Sequence, residues 1–364
     1  MSASPLVDRH DALLVDLDGT VVLAGQPIDH AASVLEGVRA RGTRVLIVTN
    51  NASRTPAAVA ERLTRLGIPF LPEDVVSSPL AAAHLLSTAH RPGDRVLVVG
   101  TEALADAIAG AGLMPVRSVD QHPVAVVQGH NPDTGWRQLS EACLAIRAGA
   151  DWVATNTDST LPTDRGLLPG NGAMVQALVT ATGRQPRVAG KPARPLLDAA
   201  AERAGARSPL VVGDRLDTDI AAAVAAGMPS LMVLTGVSSA ADLLAAPADR
   251  RPTLLAADLR GLLDPGAVVK LDSSGRSPAA TPGSGAPAGA AAWRIDESAT
   301  HLVLAAPPGR ADPHGGGSSD SAATATDALG VMAALAPVAW RTGVTEVCAS
   351  DERTARALAD LGLA

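Results

Sequence analysis

The sequence predicts an α/β protein built on a parallel sheet, with a second α/β unit inserted into it and a small α+β region towards its C-terminal end. Three observations carry that prediction. Short β-rich runs alternate with Ala-rich helical patterns along most of the chain. A second series of such runs interrupts the first and has strands and helices of its own. Finally, a stretch made almost wholly of Ser, Gly, Pro and Ala separates these series from a short tail. The expected boundaries are 1–80 and 187–265 for the core, 81–186 for the insert, 266–291 for a linker and 292–364 for the tail.

The core series opens with apolar runs at Leu13–Asp16 and Val45–Val48 and resumes with Leu210–Val212 and Leu231–Leu234. Runs this short and apolar, bounded by turn signals, read as strands buried on both faces. Helical patterns cover His30–Arg41 and Pro56–Leu66, each followed by a glycine suited to a C-cap (Gly42, Gly67). The insert reads as a strand over Arg95–Gly100, a helix from Glu102, a strand over Val124–Gly129, a helix across Leu139–Arg147 and a strand over Trp152–Asn156. The composition of Asp272–Ala290 cannot bury enough apolar surface to offset its ordering entropy, so a flexible linker is expected there. In the tail, "WRIDESATHLVLAAP" resembles two short strands and "GGGSSDSAATA" reads as a polar connection. A helix over Ala328–Trp340, the strand-like "GVTEVCAS" and a helix from Asp351 complete it.

Composition narrows the function. Hydrophobic residues make up 47% of the chain, yet aromatics are 1%, with one Phe, four Trp and no Tyr. The core must therefore be Ala, Val and Leu, and a surface that stacks bases is not expected. The net charge of −7 comes with no Lys/Arg cluster, which argues against nucleic acid as a partner. Cys143 and Cys348 lie far apart in apolar patterns and read as free thiols. The first residues, "MSASPLVDRHDALL", lack a basic region followed by a long apolar stretch, and no segment approaches a membrane span. A cytoplasmic protein with no membrane partner is expected.

Four separated segments carry chemistry. In "ALLVDLDGTVV" an apolar strand runs into Asp16 and Asp18. Functional groups of a parallel sheet gather at the carboxyl ends of its strands. Two acids one residue apart can divide a reaction, one attacking and the other moving protons, although Asp-Gly is also a common plain turn. The strand Val45–Val48 ends in Thr49-Asn50-Asn51, whose hydroxyl and backbone N–H groups can hold phosphate oxygens or cap the next helix. "VAGKPARP" contains Lys191, one of only two lysines among 30 basic residues. A compact ammonium is chemically distinct from a guanidinium, so its use here points to a role, with a surface lysine as the plainer reading. "LVVGDRLDTDI" repeats the strand-to-acid pattern with Asp214, Asp217 and Asp219. Clustered carboxylates repel unless a cation lies among them, and hard oxygen ligands suit Mg²⁺.

The order "DLDGT … TNN … K … GDRLDTD" resembles the four motifs of the haloacid-dehalogenase (HAD) superfamily across about residues 8 to 265. The resemblance implies a HAD-type Rossmann-like core. It also implies Asp16 as nucleophile, forming an aspartyl-phosphate, and Asp18 as general acid and base. Thr49, Asn50 and Lys191 would bind the phosphoryl group. Asp16, the Asp18 carbonyl and Asp214 would hold Mg²⁺, with Asp219 supporting the metal site. An acid two residues after the nucleophile is the pattern of phosphatases and phosphomutases.

Thirty residues separate Asp18 from Thr49, too few for the mutase cap, whereas the large insertion lies between Thr49 and Lys191. That arrangement resembles the branch with an α/β cap between the second and third motifs (subclass IIA). Its members are phosphatases of small phosphorylated metabolites, and caps of this type often support homodimers. Segments such as "TLPTDRGLLPGNGAMVQAL" and "RVAGKPA" resemble actinobacterial members acting on glycerol 3-phosphate in glycerophospholipid recycling. Phosphoglycolate, pyridoxal phosphate and nucleotides stay open as substrates, and a phosphate-binding module that has lost catalysis is the alternative from another class. Within the cap, Asn156, Asp158, Arg165 and Asn171 are candidates for a substrate-specificity loop. The tail shows no pantetheine-binding signature, which argues against acetyl transfer.

Overall fold

The computed structural model describes residues 4–52, 54–163, 165–271, 293–298, 300–305 and 321–363. The chain divides into two units, Met1–Val45 with Arg207–Ala364, and Leu46–Ala206.

The first unit is organised by the strand Ala12–Val15, every residue of which is buried. It pairs in parallel with Pro209–Gly213, which pairs in parallel with Ser230–Val233, followed by Leu254–Ala256. An antiparallel edge strand, Val268–Lys270, closes that side. Strands buried on both faces need no polar alternation, which is why each read as a continuous apolar run. The helix Ala31–Ala40 buries Ala31, Val34, Leu35 and Val38, the spacing of one helical face. Gly42, at φ +83°, turns the chain after it.

Sheet pairing continues past the predicted linker start at 266. Val268–Lys270 completes the edge, and Leu271 is buried, because its apolar residues cover the flank of Leu254–Ala256. The rest of the expected linker, 272–291, lies outside the described residues. The C-terminal region joins a three-stranded sheet (Arg294–Glu297, Leu302–Ala305, Val347–Ala349) to helices Ser321–Thr342 and Glu352–Asp360. The long helix starts at Ser321, seven residues before the expected Ala328. The polar-looking "SAATATDA" is rich in Ala, and that propensity extends the helix. This region shares one apolar cluster with Ala240, Leu243, Leu244 and Leu255 of the core.

The second unit begins within the strand Arg44–Thr49, whose Ile47–Thr49 pair in parallel with Val75–Ser77. Thr55 caps the helix Pro56–Arg65 by accepting from the Ala58 amide at 3.2 Å. A five-stranded parallel sheet follows, in the order Arg187–Val188, Asp151–Ala154, Ala125–Gln128, Arg95–Val99, Met114–Val116. Helices Trp136–Arg147 and Asn171–Thr182 pack on it through Ile146, Val175 and Leu178 against Val126 and Trp152. The unit is wider than the insert expected at 81–186, since helices Ser78–Ala89 and Pro195–Ala204 pack together inside it. Along the chain between Asp151–Ala154 and Arg187–Val188, a stretch expected to be a loop forms the antiparallel hairpin Thr160–Thr163 and Gly166–Pro169. Among the described residues, no helix is long and apolar enough to cross a membrane.

Candidate active site

The first unit assembles the acidic residues. Asp16 follows the strand Ala12–Val15 directly, its amide donating to the Val212 carbonyl at 2.8 Å. The chain then reverses: the amides of Val21 and Val22 both donate to the Leu17 carbonyl at 3.0 Å, and Gly19 donates to Val22 at 2.7 Å. Gly19 sits at φ +97°, and a Cβ there would overlap the Asp214 carboxylate, so the turn admits only glycine. Asp18 is exposed at the tip while Asp16 is half-buried.

Asp214 follows the strand Pro209–Gly213 and is fully buried. Its Oδ1 accepts from the Thr20 hydroxyl at 3.2 Å and its Oδ2 from the Val237 amide at 2.7 Å. Asp219, buried on the π-helical turn Leu216–Ile220, accepts from the Arg215 amide at 3.1 Å. Carboxylate oxygens of Asp16, Asp214 and Asp219 all lie within 4.8 Å of one another. Asp217, two residues from Asp219, instead pairs with Arg215 at 2.7 Å, which holds its carboxyl below the usual range. The structure thus sorts three closely spaced acids by direction.

Burial, and then the neighbouring charge of Asp219, push the Asp214 carboxyl above its ordinary value despite the Val237 and Thr20 hydrogen bonds. Three converging carboxylates fit a hard divalent cation: the donors are all oxygen, and a cation removes the repulsion that raises Asp214. The Asp18 carboxylate is not one of the three; the resemblance calls on its carbonyl.

The second unit assembles the cationic and hydroxyl groups. Thr49 ends its strand almost fully buried, and its Oγ1 accepts from the Asn51 amide at 3.1 Å. Lys191 is 2% exposed, which excludes the surface reading, and its Nζ donates to the Val48 carbonyl at 3.2 Å. Asn50 clamps the lysine backbone: Oδ1 accepts from the Lys191 amide at 2.8 Å and Nδ2 donates to the Lys191 carbonyl at 2.9 Å. The Asn50 side chain also reaches Asp158 Oδ2 at 3.4 Å. Its amide is therefore engaged in placing Lys191.

The four loop candidates separate. Asn156 is buried and donates to the Asn50 carbonyl at 3.1 Å, and Asn171 is buried and donates to the Asn156 carbonyl at 2.7 Å. Both amides tie the loop down. Asp158 reaches Asn50, and Arg165 is exposed in the turn of the hairpin. Sequence reasoning missed Thr20, Ser78 and the segment Thr235–Ser238. Ser78 donates to the Asn50 carbonyl at 2.8 Å, and Thr235 to the Gly19 carbonyl at 2.6 Å. Ser78 directly follows the strand Val75–Ser77, and Thr235 lies two residues past the end of Ser230–Val233, positions at parallel-strand ends that would have found them.

Comparison with known proteins agrees with this assembly. A family model for haloacid dehalogenase-like hydrolases matches residues 13–114, and a HAD-hydrolase-like model matches 188–262. The D-glycerol 3-phosphate phosphatase of Mycobacterium tuberculosis is 48% identical over 360 residues, covering 97% of this chain and 94% of that protein. The acid sugar phosphatase of Staphylococcus aureus is 38% identical over 236 residues, covering 64% of this chain and 90% of the relative. A crystal structure of glycerol phosphate phosphatase from M. tuberculosis in complex with magnesium superposes with a TM-score of 0.83 at 47% identity, covering 100% of both chains. With its acidic cluster, its buried lysine and a relative matched from end to end, this chain belongs to the haloacid dehalogenase-like hydrolases.

Proposed function

We propose that the chain is a Mg²⁺-dependent phosphatase that hydrolyses glycerol 3-phosphate to glycerol and inorganic phosphate through an aspartyl-phosphate on Asp16. The observation that carries the substrate is the end-to-end likeness to a phosphatase named for D-glycerol 3-phosphate, which includes the C-terminal region. A chain with one Phe and no Tyr also suits a small polyol better than a ring that must be stacked.

In this reading the Asp16 carboxylate attacks phosphorus in line and the bond to the glycerol oxygen breaks. Asp18, exposed at the tip of its turn, gives the leaving oxygen a proton. The carboxylate of Asp18 then takes a proton from the water that attacks the aspartyl-phosphate, releasing phosphate and restoring Asp16. The Thr49 hydroxyl and the Lys191 ammonium hold the phosphoryl oxygens, and Asn50 keeps Lys191 in place. Asp16, Asp214 and the Asp18 carbonyl are the residues that would hold Mg²⁺, with Asp219 supporting them; the bound ion supplies positive charge against the phosphoryl oxygens. Residues 81–186 would act as the cap, with Asp158 and Arg165 the loop side chains assigned to the leaving group. A cytoplasmic location and a homodimer complete the proposal, the latter checked by light scattering.

The test is phosphate release with Mg²⁺ from glycerol 3-phosphate, phosphoglycolate, pyridoxal phosphate and a nucleoside monophosphate. The reading expects the highest kcat/KM for glycerol 3-phosphate. A lead for another compound would overturn the substrate and keep the chemistry, and no release from any would overturn both.

A further inference from the structure

Asp214 is held by a loop, and that loop stands on the C-terminal region. After the strand Ser230–Val233, the Val237 amide donates to Asp214 Oδ2 at 2.7 Å and the Ser238 amide to the Asp214 carbonyl at 3.2 Å. The Ser238 hydroxyl accepts from the Leu216 amide at 3.0 Å, at the start of the turn that carries Asp219. A Cβ at Gly236 would overlap the Asp214 carboxylate, so the backbone lies directly against the acid. The loop runs without a break into the helix Ala240–Leu244, where Ser239 and Asp242 cap each other's amides at 2.8 and 3.2 Å. A shift of that helix is therefore a shift of the loop.

The helix is fixed from its other end. Trp340, near the end of Ser321–Thr342, donates its indole N–H to the Leu243 carbonyl at 2.8 Å in a buried bond. Arg251 closes a ring around this contact. Its Nε donates to the Ala246 carbonyl at 3.1 Å, its Nη2 to the Trp340 carbonyl at 3.2 Å, and its guanidinium carbon lies 5.0 Å from the indole centroid. Trp340, Met332 and Leu335 share an apolar cluster with Leu243, and also with Leu216 and Ile220, which bound the Asp219 turn. Packing alone would leave the helix free to slide; directional buried bonds set its position.

We propose that Trp340 is a positioning residue for the divalent cation, and that the C-terminal region sets Mg²⁺ affinity by fixing the loop that orients Asp214. This rests on the reading of Asp214 as a metal ligand. Coupling between two sites is reciprocal, so Mg²⁺ binding also steadies the Trp340 helix.

The experiment titrates Mg²⁺ into the full chain by calorimetry, without substrate, for the wild type, Trp340→Phe and Asp214→Asn. Phenylalanine keeps an aromatic ring and removes the N–H donor. The expected result for Trp340→Phe is Mg²⁺ binding weakened roughly fivefold or more, the low end of measured couplings, with an unchanged KM for substrate at saturating Mg²⁺. Hydrogen exchange of the wild type provides a second readout that needs no variant: the amides of residues 329–341 slow when Mg²⁺ is added. A folded Trp340→Phe with wild-type Mg²⁺ affinity overturns the inference, as does exchange at 329–341 that ignores Mg²⁺. If Asp214→Asn binds Mg²⁺ like the wild type, the ligand reading itself fails; if it binds weakly while Trp340→Phe does not, only the coupling fails.

Discussion

Asp16 and Asp214 stand in different surroundings, and the proposed function gives them different work on that ground. Asp16 is half-buried at a strand end, where a carboxylate can reach a phosphoryl group, and Asp214 is closed in by Thr20, Val237 and Asp219. Replacing Asp16 by Asn should lower kcat by at least about 10⁴-fold, since losing a covalent nucleophile costs that much or more, while the melting temperature changes little. Activity near wild type in that variant would remove Asp16 from the nucleophile role. The raised Asp214 carboxyl gives a pH signature. The folded protein binds that proton more tightly than the unfolded chain, so the stabilisation is complete below the unfolded value near 3.8 and is lost as pH rises through the raised folded value. Measured against Asp214→Asn without metal, the wild-type melting temperature should fall across that window, and saturating Mg²⁺ should abolish the fall. A difference that is flat or rises with pH would contradict the assignment.

At the scale of elements, most of the architecture was legible because parallel strands and their helices announce themselves through apolar runs and closing glycines. Ala12–Val15, Arg44–Thr49, Pro209–Gly213 and Ser230–Val233 all fall on runs visible in the sequence, and Asp16 and Asp214 follow directly from two of these ends. The hairpin at 160–169 was hidden because "TLPTDRGLLP" mixes Pro and Gly with few β-branched residues; its pairing comes from tertiary context. Nor does sequence spacing disclose that Asn50, Asn156 and Asn171 spend their side chains on backbone groups, since that requires knowing which carbonyls meet them. One strand-level ion network offers a direct test. Asp151, at the start of its strand, bonds both Arg187 and His90. Burial pushes its carboxyl up, but the Arg187 hydrogen bond and charge, with His90, outweigh that and hold it below 3.8. Its stabilisation is present above that value and is lost as pH falls through the lower folded value. Asp151→Asn should cost about 1 kcal/mol at neutral pH and flatten the acid limb of the stability curve. An unchanged acid limb would mean that the network contributes nothing.

For the whole molecule, the C-terminal region changes what the core requires. The sequence suggested a tail hung on a linker, and the structure instead gives it a share of the core, with Trp340 bonded to Leu243 and Met332 and Leu335 in the cluster that holds Leu244. Composition could not show this, because an amphipathic helix names its apolar face and not its partner. A chain ending after Leu271 should therefore expose that cluster, bind a hydrophobic dye and melt at a lower temperature than the full chain. A truncated chain with full-length stability would show the packing to be energetically idle. The central claim, catalysis through a phosphorylated Asp16, is tested most directly by acid-quenching turnover of glycerol 3-phosphate with Mg²⁺ and mapping the peptide that contains Asp16 by mass spectrometry. The account predicts one phosphoryl group on Asp16, absent without substrate and absent in Asp16→Asn. Phosphate release with no phosphoryl group on that peptide, or with one on another residue, would contradict it.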